Sequence, residues 1–351
     1  NSSNLFAFVE ANGQIFFQAD DGVNGLELWK TDGTAAGTVL VKDINPGFTG
    51  SIPDDFTAVG NIVYFVAGTA AAGNEIWKTD GTTAGTTMVK DINPGTFGSN
   101  PSYLLEMNGM LYFRAFNSST GTELWKSDGS TGGTVMVKDI YPGSGNGIAA
   151  YITKINATLY FMASNGATGA ELWKSDGTAA GTVLIKDIAT GSADGSPVNL
   201  TNANGTLFFT ADDGTHGTEI WKSDGSTAGT VLVKDIYAGT NTSDIKNKTV
   251  INGTVFFTAS DGISGTELWK TNGTAAGTVM VKDINAGPAN SSPDGLFNLN
   301  GVLFFYANDG VHGQELWKSD GTAAGTVMIK DIYAGSASSL PYVFAGMNGV
   351  V

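Results

Sequence analysis

The chain has 351 residues, a formal charge of −15, a pI near 4.4, 41% apolar residues and no cysteine. The acidic balance argues against nucleic acid or an anionic membrane surface as partner, and the cysteine count excludes disulfides and thiolate metal sites. No apolar run approaches the ~18 residues that span a membrane; no membrane insertion is expected, and the chain reads as a mature or excised soluble piece without a signal peptide.

One stretch, Glu27-Leu28-Trp29-Lys30-Thr31-Asp32-Gly33-Thr34, recurs seven times and carries every tryptophan: Trp29, Trp77, Trp125, Trp173, Trp221, Trp269 and Trp317, each 48 residues after the last. A fixed period of this length with strand-like content marks a propeller. The seven periods fall at about 4–44, 54–92, 102–140, 150–188, 198–236, 246–284 and 294–332, and one domain accounts for nearly the whole chain.

Residues 294–332 display the unit in order. Leu296-Phe297-Asn298-Leu299 reads as a first strand, and Asn300-Gly301 as a two-residue hairpin turn. The second strand, Val302 to Ala307, carries an aromatic pair. Its second member recurs as Phe17, Phe65, Phe113, Phe161, Phe209, Phe257 and Phe305, always after Phe or Tyr. Adjacent strand residues point to opposite faces, so both faces of this strand are expected to be buried. Asp309 to Gln314 forms the next turn, Glu315-Leu316-Trp317-Lys318 the third strand, and Asp320 to Gly325 a further turn rich in residues suited to positive φ. Thr326 to Ile332 reads as a fourth, outer strand whose lysine guards a sheet edge. Four antiparallel strands per period, seven times, predict an all-β, seven-bladed propeller.

The ends repeat each other: residues 1–15 align with 337–351, giving eight first strands for seven blades. Three readings stay open. One copy completes a blade and the other is displaced, or the chain is cut from a longer array, or the duplicate strand exchanges between molecules and drives self-association.

The pattern Glu-Leu-Trp-x-x-Asp-Gly-Thr, followed by Ala-Gly-Thr-Val and Lys-Asp-Ile, resembles the ELWxxDGT repeat proteins over the full chain. Ile76 and Ile220 replace the Leu, and Asn272 the Asp. The resemblance implies tandem arrays in bacterial secreted or surface proteins, an extracellular or cell-surface location and a non-catalytic, attachment-linked role, with no catalytic residues to carry over. The Lys-Ser-Asp-Gly-Thr turn also resembles the Asp-box hairpin of sialidase-like propellers, where it is structural.

The repeat-fixed Glu residues, Glu27 to Glu315, and the Lys-Asp pairs, Lys42-Asp43 to Lys330-Asp331, occur in every blade, whereas an asymmetric reaction needs one constellation. They are expected to form ion pairs and hydrogen bonds where strands and blades meet. His216 and His312 share one slot of repeats five and seven with no second His or Cys nearby, which disfavours a transition-metal site or a Ser/His/Asp triad. Arg114, the single arginine, cannot form the cluster a sialidase needs. Asp20, Asp21, Asp212, Asp213, Asp261 and Asp309, in the turns between second and third strands, are the candidate ligands for Ca²⁺, which prefers hard oxygen donors; no cofactor is required. The turns between strands two and three and the crossings between blades vary among repeats, and strand alternation puts both on one face. Recognition is usually placed on such loops. Phe48, Phe97, Asn241, Asp244, Asn290, His216 and His312 are the candidate ligand-binding residues, facing a glycan or a surface protein. The expected function is a non-enzymatic extracellular binding or structural module for attachment. The alternatives are a spacer or filament subunit and a glycan-active enzyme on a propeller frame.

Overall fold

Both residues of the Asn-Gly hairpin turns adopt positive φ, 55° and 70° at Asn12 and Gly13 and 52° and 85° at Asn300 and Gly301. This mirror-image turn matches the right-handed twist of the strands it joins. In the computed structural model, which describes residues 8–147 and 149–340, such hairpins open five of seven antiparallel sheets of four strands each, paired in sequence order, with Gly60-Asn61 and Asn156-Ala157 at the same place in the other two. No described residue is helical. This is the architecture of a seven-bladed β-propeller. The question of which duplicated end completes a blade falls on residues 1–7 and 341–351, outside the described residues.

Two compact units divide the chain, Asn1–Val183 and Leu184–Val351, the boundary falling at the start of the fourth strand of blade four (Val183–Lys186). In every blade the register sets the second-strand Phe opposite the third-strand Trp, as in Phe65↔Trp77 and Phe257↔Trp269. Phe65, Phe113, Phe161, Phe209, Phe257 and Phe305 are fully buried, and so on the opposite face are Tyr64, Tyr112, Tyr160, Phe208 and Phe256 to within a few per cent. The doubly buried strand read from adjacent aromatics is therefore present.

The cores lie between successive blades. Within the first unit, Phe16, Leu28 and Val41 of blade one pack with Phe65 and Trp77 of blade two, and Tyr64, Ile76 and Val89 with Phe113 and Trp125 of blade three. Within the second, Phe208, Ile220 and Val233 meet Phe257 and Trp269, and Phe256, Leu268 and Val281 meet Phe305 and Trp317. Burial of such aromatic and branched side chains contributes about 1.5–3 kcal/mol each before the entropy cost of ordering them. Six of the seven tryptophans are buried; Trp29 is half-buried.

The fourth strand is shorter than its sequence suggests: Val327–Lys330 rather than residues 326–332, and four residues in each blade. Side chains divert both of its ends. The Thr326 hydroxyl donates to the Thr322 carbonyl at 2.7 Å, and the Ile332 amide donates to Glu315 Oε2 at 3.0 Å. A register shift between Leu316 and Trp317 adds to this. A short, bulged outer strand is itself a guard against edge pairing.

Candidate functional site

The residues present in every blade are occupied in holding the blade. Glu75 Oε2 accepts the amide of Ile92 at 3.1 Å and the hydroxyl of Ser99 at 2.6 Å, while Oε1 accepts the Ser99 amide at 2.7 Å. Glu27, Glu219, Glu267 and Glu315 hold their own blade crossings through the corresponding amide and serine. Burial pushes Glu123 and Glu267 up to about 7, although backbone amides from Ile140, Tyr141 and Gly147 pull Glu123, and Ser291 and Ile284 pull Glu267, the other way.

The expected bonds where blades meet take the form of lysine-to-carbonyl hydrogen bonds. Lys42 Nζ donates to the Thr86 carbonyl of the next blade at 2.7 Å and sits 5.8 Å from the Trp77 ring centroid. Lys90 does the same with Thr134 and Trp125, and Lys234 with Thr278 and Trp269. A carbonyl and an aromatic face together satisfy an ammonium between two blades without a second formal charge. The other lysine series caps the next blade's turn, as Lys78 does at the Gly129 carbonyl. Outside the repeat pattern, Lys154 and Glu106 form a lysine–carboxylate ion pair at 2.8 Å.

The turns between strands two and three bring the calcium candidates and the histidines together. Asp213 Oδ1 accepts the amides of Thr215 and His216, both at 2.9 Å, and Oδ2 meets His216 Nδ1 at 2.8 Å. Asp309 and His312 repeat this at 2.7 Å. In blade one Asn24 Nδ2 takes the histidine's place on Asp21 Oδ2, and in blade six Ser264 donates to Asp261. Asp20 and Asp212 each accept the following glycine amide, Gly22 and Gly214. Burial raises Asp213, but the bonds from His216 and Thr215 outweigh it and hold the carboxyl down at about 2. The Asp partner raises each histidine above 6.5. These donors are thus committed to closing their own turn, and among the described residues no three His, Cys, Asp or Glu gather as a metal site.

The variable loops do share a face within each unit. The crossing after blade one packs on the strand 2–3 turn of its own blade, Ser51 N to Leu26 O at 3.0 Å, and bonds that of the next, Ala70 N to Asn45 Oδ1 at 3.2 Å. Phe48 and Phe97 stand 86% exposed on this face. Asn241 and Asp244 are exposed, Asp244 at the edge of a cleft, whereas Asn290 Oδ1 accepts the Thr266 amide at 2.7 Å. The structure therefore spreads these candidates over several blades.

Within each unit a different set of blade-specific residues lies at the start of the first strands. These strands adjoin one another from blade to blade: Asp54–Val59 with Ser102–Met107 in the first unit, and Lys246–Ile251 with Asp294–Leu299 in the second. Each carries a bulge near its start, as between Asp54 and Thr57 or Lys246 and Thr249. At one slot of the bulge φ is positive: 53° at Asp55, 58° at Tyr103, 57° at Tyr151, 56° at Asn199, 54° at Asn247 and 63° at Gly295. A bulge re-aims the side chain it carries. Asp55 Oδ2 accepts the Leu104 amide of the next blade at 3.2 Å, the Tyr103 and Tyr151 rings lie 5.9 Å apart, and Asn247 Nδ2 donates to the Pro293 carbonyl at 3.3 Å.

Clefts open beside these bulges. In the first unit a cavity of about 500 Å³ is lined by Ile52, Asp54, Asp55, Asn74, Asn100 and Ser102, among others, and burial pushes the Asp55 carboxyl up. In the second unit a cleft of about 200 Å³ is lined by Asn199, Leu200, Thr201, Lys246, Asn247 and Lys248. One cleft is acidic and the other basic. The reading of the sequence missed both. The available signal was a break in apolar patterning: Asp, Tyr, Tyr, Asn, Asn and Gly at one slot, most of them types that tolerate the left-handed region.

No protein-family model matches the chain, and no curated protein matches it. Solved structures do. A prolyl endopeptidase superposes with a TM-score of 0.52 at 11% identity, over 93% of this chain and 49% of its own. A puromycin hydrolase gives 0.47 at 12% identity, over 94% and 55%. The β-propeller domain of the Trilobed protease from Pyrococcus furiosus gives 0.43 at 11% identity, over 94% and 98%. The chain spans about half the length of the first two. These are likenesses of fold. The expectation of an extracellular attachment module, with its spacer, filament and glycan-active alternatives, which rested on the repeat resemblance and on loop variability, is corrected on this finding: the similar propeller frames are those of peptidases.

Proposed function

We propose that this chain is a propeller frame that works beside the catalytic unit of an enzyme and carries out no turnover itself. The observation that supports this reading most directly is the division of labour within each blade. The repeat-fixed Glu and Lys groups and the Asp-Gly-Thr turn aspartates are engaged mainly by backbone donors and acceptors, so they hold the frame. The residues that differ from blade to blade, such as Asp55, Tyr103, Asn199 and Lys248, gather at the bulged first strands where clefts open. A rigid scaffold with individual residues at the bulged strands of each unit suits the positioning or selection of what reaches a neighbouring active site.

The reading frame on either side of residues 1–351 tests this. A hydrolase-type catalytic domain joined to the propeller, with turnover that shifts in KM when Asp55→Asn or Asn199→Ala is introduced, is the expected result. A parent polypeptide made only of further 48-residue repeats would overturn the proposal.

A further inference from the structure

Three lysines, Lys154, Lys246 and Lys248, stand outside the two repeat-fixed series. Lys154 pairs with Glu106. Lys248 does not pair: its ammonium nitrogen is buried and has no hydrogen-bond partner. Its slot is occupied in the other blades by Phe8, Phe56, Leu104, Ile152, Leu200 and Leu296. Leu104 is buried there, and Phe56 and Leu296 pack against the inter-blade cores. The fold thus places an amine where it otherwise places an apolar side chain. A lone buried ammonium costs several kcal/mol of lost hydration, and burial brings Lys248 down to about 7. Of the six residues lining the cleft, Lys246 is the only other charged one, and like charge offers no compensation.

We propose that Lys248 is a covalent attachment point for a small aldehyde, which enters the cleft between the first strands of blades five and six. A lysine desolvated in its site is a usual form of an amine nucleophile. The nitrogen lone pair attacks the carbonyl carbon, forming a C–N bond while the carbonyl oxygen takes a proton to give a carbinolamine. Loss of that hydroxyl as water breaks the C–O bond and forms C=N. The balance is amine plus aldehyde to imine plus water, with no oxidation or reduction. Thr201, Asn199 and Asn247 line the same cleft and supply polar side chains around the carbinolamine hydroxyl.

The test is reductive trapping on the intact chain, with limiting acetaldehyde and cyanoborohydride at pH 7, followed by peptide mapping. Lys248 is expected to be alkylated at least about tenfold faster than Lys246 or Lys90, with a rate that reaches half its maximum near neutral pH rather than in the usual lysine range. Alkylation of Lys248 no faster than of Lys246, or none at all, would overturn the proposal. Lys248→Met restores the apolar character of the other six blades. It is expected to fold with an unchanged or higher Tm and to lose that one label, and a lower Tm would show that the amine was paired after all.

Discussion

At the scale of single residues, the Asp-Gly-Thr turn shows how tightly one position constrains another. Asp128 Oδ1 accepts the amide of Ser130 at 2.8 Å and its hydroxyl at 2.7 Å, and the Ser130 hydroxyl accepts the Gly133 amide at 2.9 Å. A Cβ on Gly133 would meet Asp128 Oδ1 at 2.1 Å, so the glycine is there for space. Gly133→Ala should therefore cost about 2–4 kcal/mol in urea denaturation, and Asp128→Ala in the same chain should recover part of it. Simple additivity of the two losses would contradict this. Asn272 fits the same logic, since its Oδ1 accepts from the Thr274 amide and hydroxyl as the aspartates do.

Protonation is also decided residue by residue. Burial pushes Glu123 and Glu267 up to about 7 from 4.5, so between those values the folded chain holds protons that the unfolded chain has released. Their stabilisation is fully present below the unfolded value and is lost as pH rises through 7. His216 and His312, raised by Asp213 and Asp309, act in the same direction: their contribution is present below 6.5 and fades as pH rises through the folded value. Asp213, held at about 2, works oppositely and only at lower pH, losing its contribution as pH falls from 3.8. Tm should thus fall between pH 5.5 and 7, above which Lys248, depressed to about 7 by burial, acts in the opposite direction, and the Glu123→Gln/Glu267→Gln double variant should flatten that fall. A Tm that climbs over this range would contradict the assignment.

At the scale of the element, the first strand is where the pattern in the sequence and the structure part company. The second and third strands were legible because adjacent aromatics and the Glu-Leu-Trp triplet fix which faces are buried, and the hairpin turns because Asn-Gly admits one geometry. The Lys series was legible as structural but not in its chemistry, since a carbonyl and an indole face leave no mark in sequence. The bulge was not legible, because strand alternation says nothing about an inserted residue, and Tyr103 and Tyr151 are poor advertisements for positive φ. The bulge makes its own prediction. In an ordinary strand Gly is less stable than Ala, but Tyr103→Gly should exceed Tyr103→Ala by about 1 kcal/mol, because only Gly relieves the left-handed conformation. The usual order, Ala above Gly, would show that the slot is an ordinary strand position.

At the scale of the whole molecule, seven periods made the blade count plain, and the same regularity obscured function. Seven-fold identity draws attention to Glu75 or Lys90, whose groups are spent on holding blades together, and away from the exceptions, Asp55 and Lys248. The variable-loop face was identifiable from differences among repeats, yet Asn290 and the two histidines prove to be engaged within their own loops. The frame and the bulged strands of each unit thus separate by whether a residue repeats. Turnover by the purified chain over peptide, ester and glycoside substrates measures that separation most directly. No hydrolysis above background is expected, with Ser99→Ala lowering Tm and Asp55→Asn leaving the unfolding free energy within about 0.5 kcal/mol of wild type. Sustained turnover by the isolated chain, abolished by Asp55→Asn, would show instead that the bulged strands themselves hold an active site.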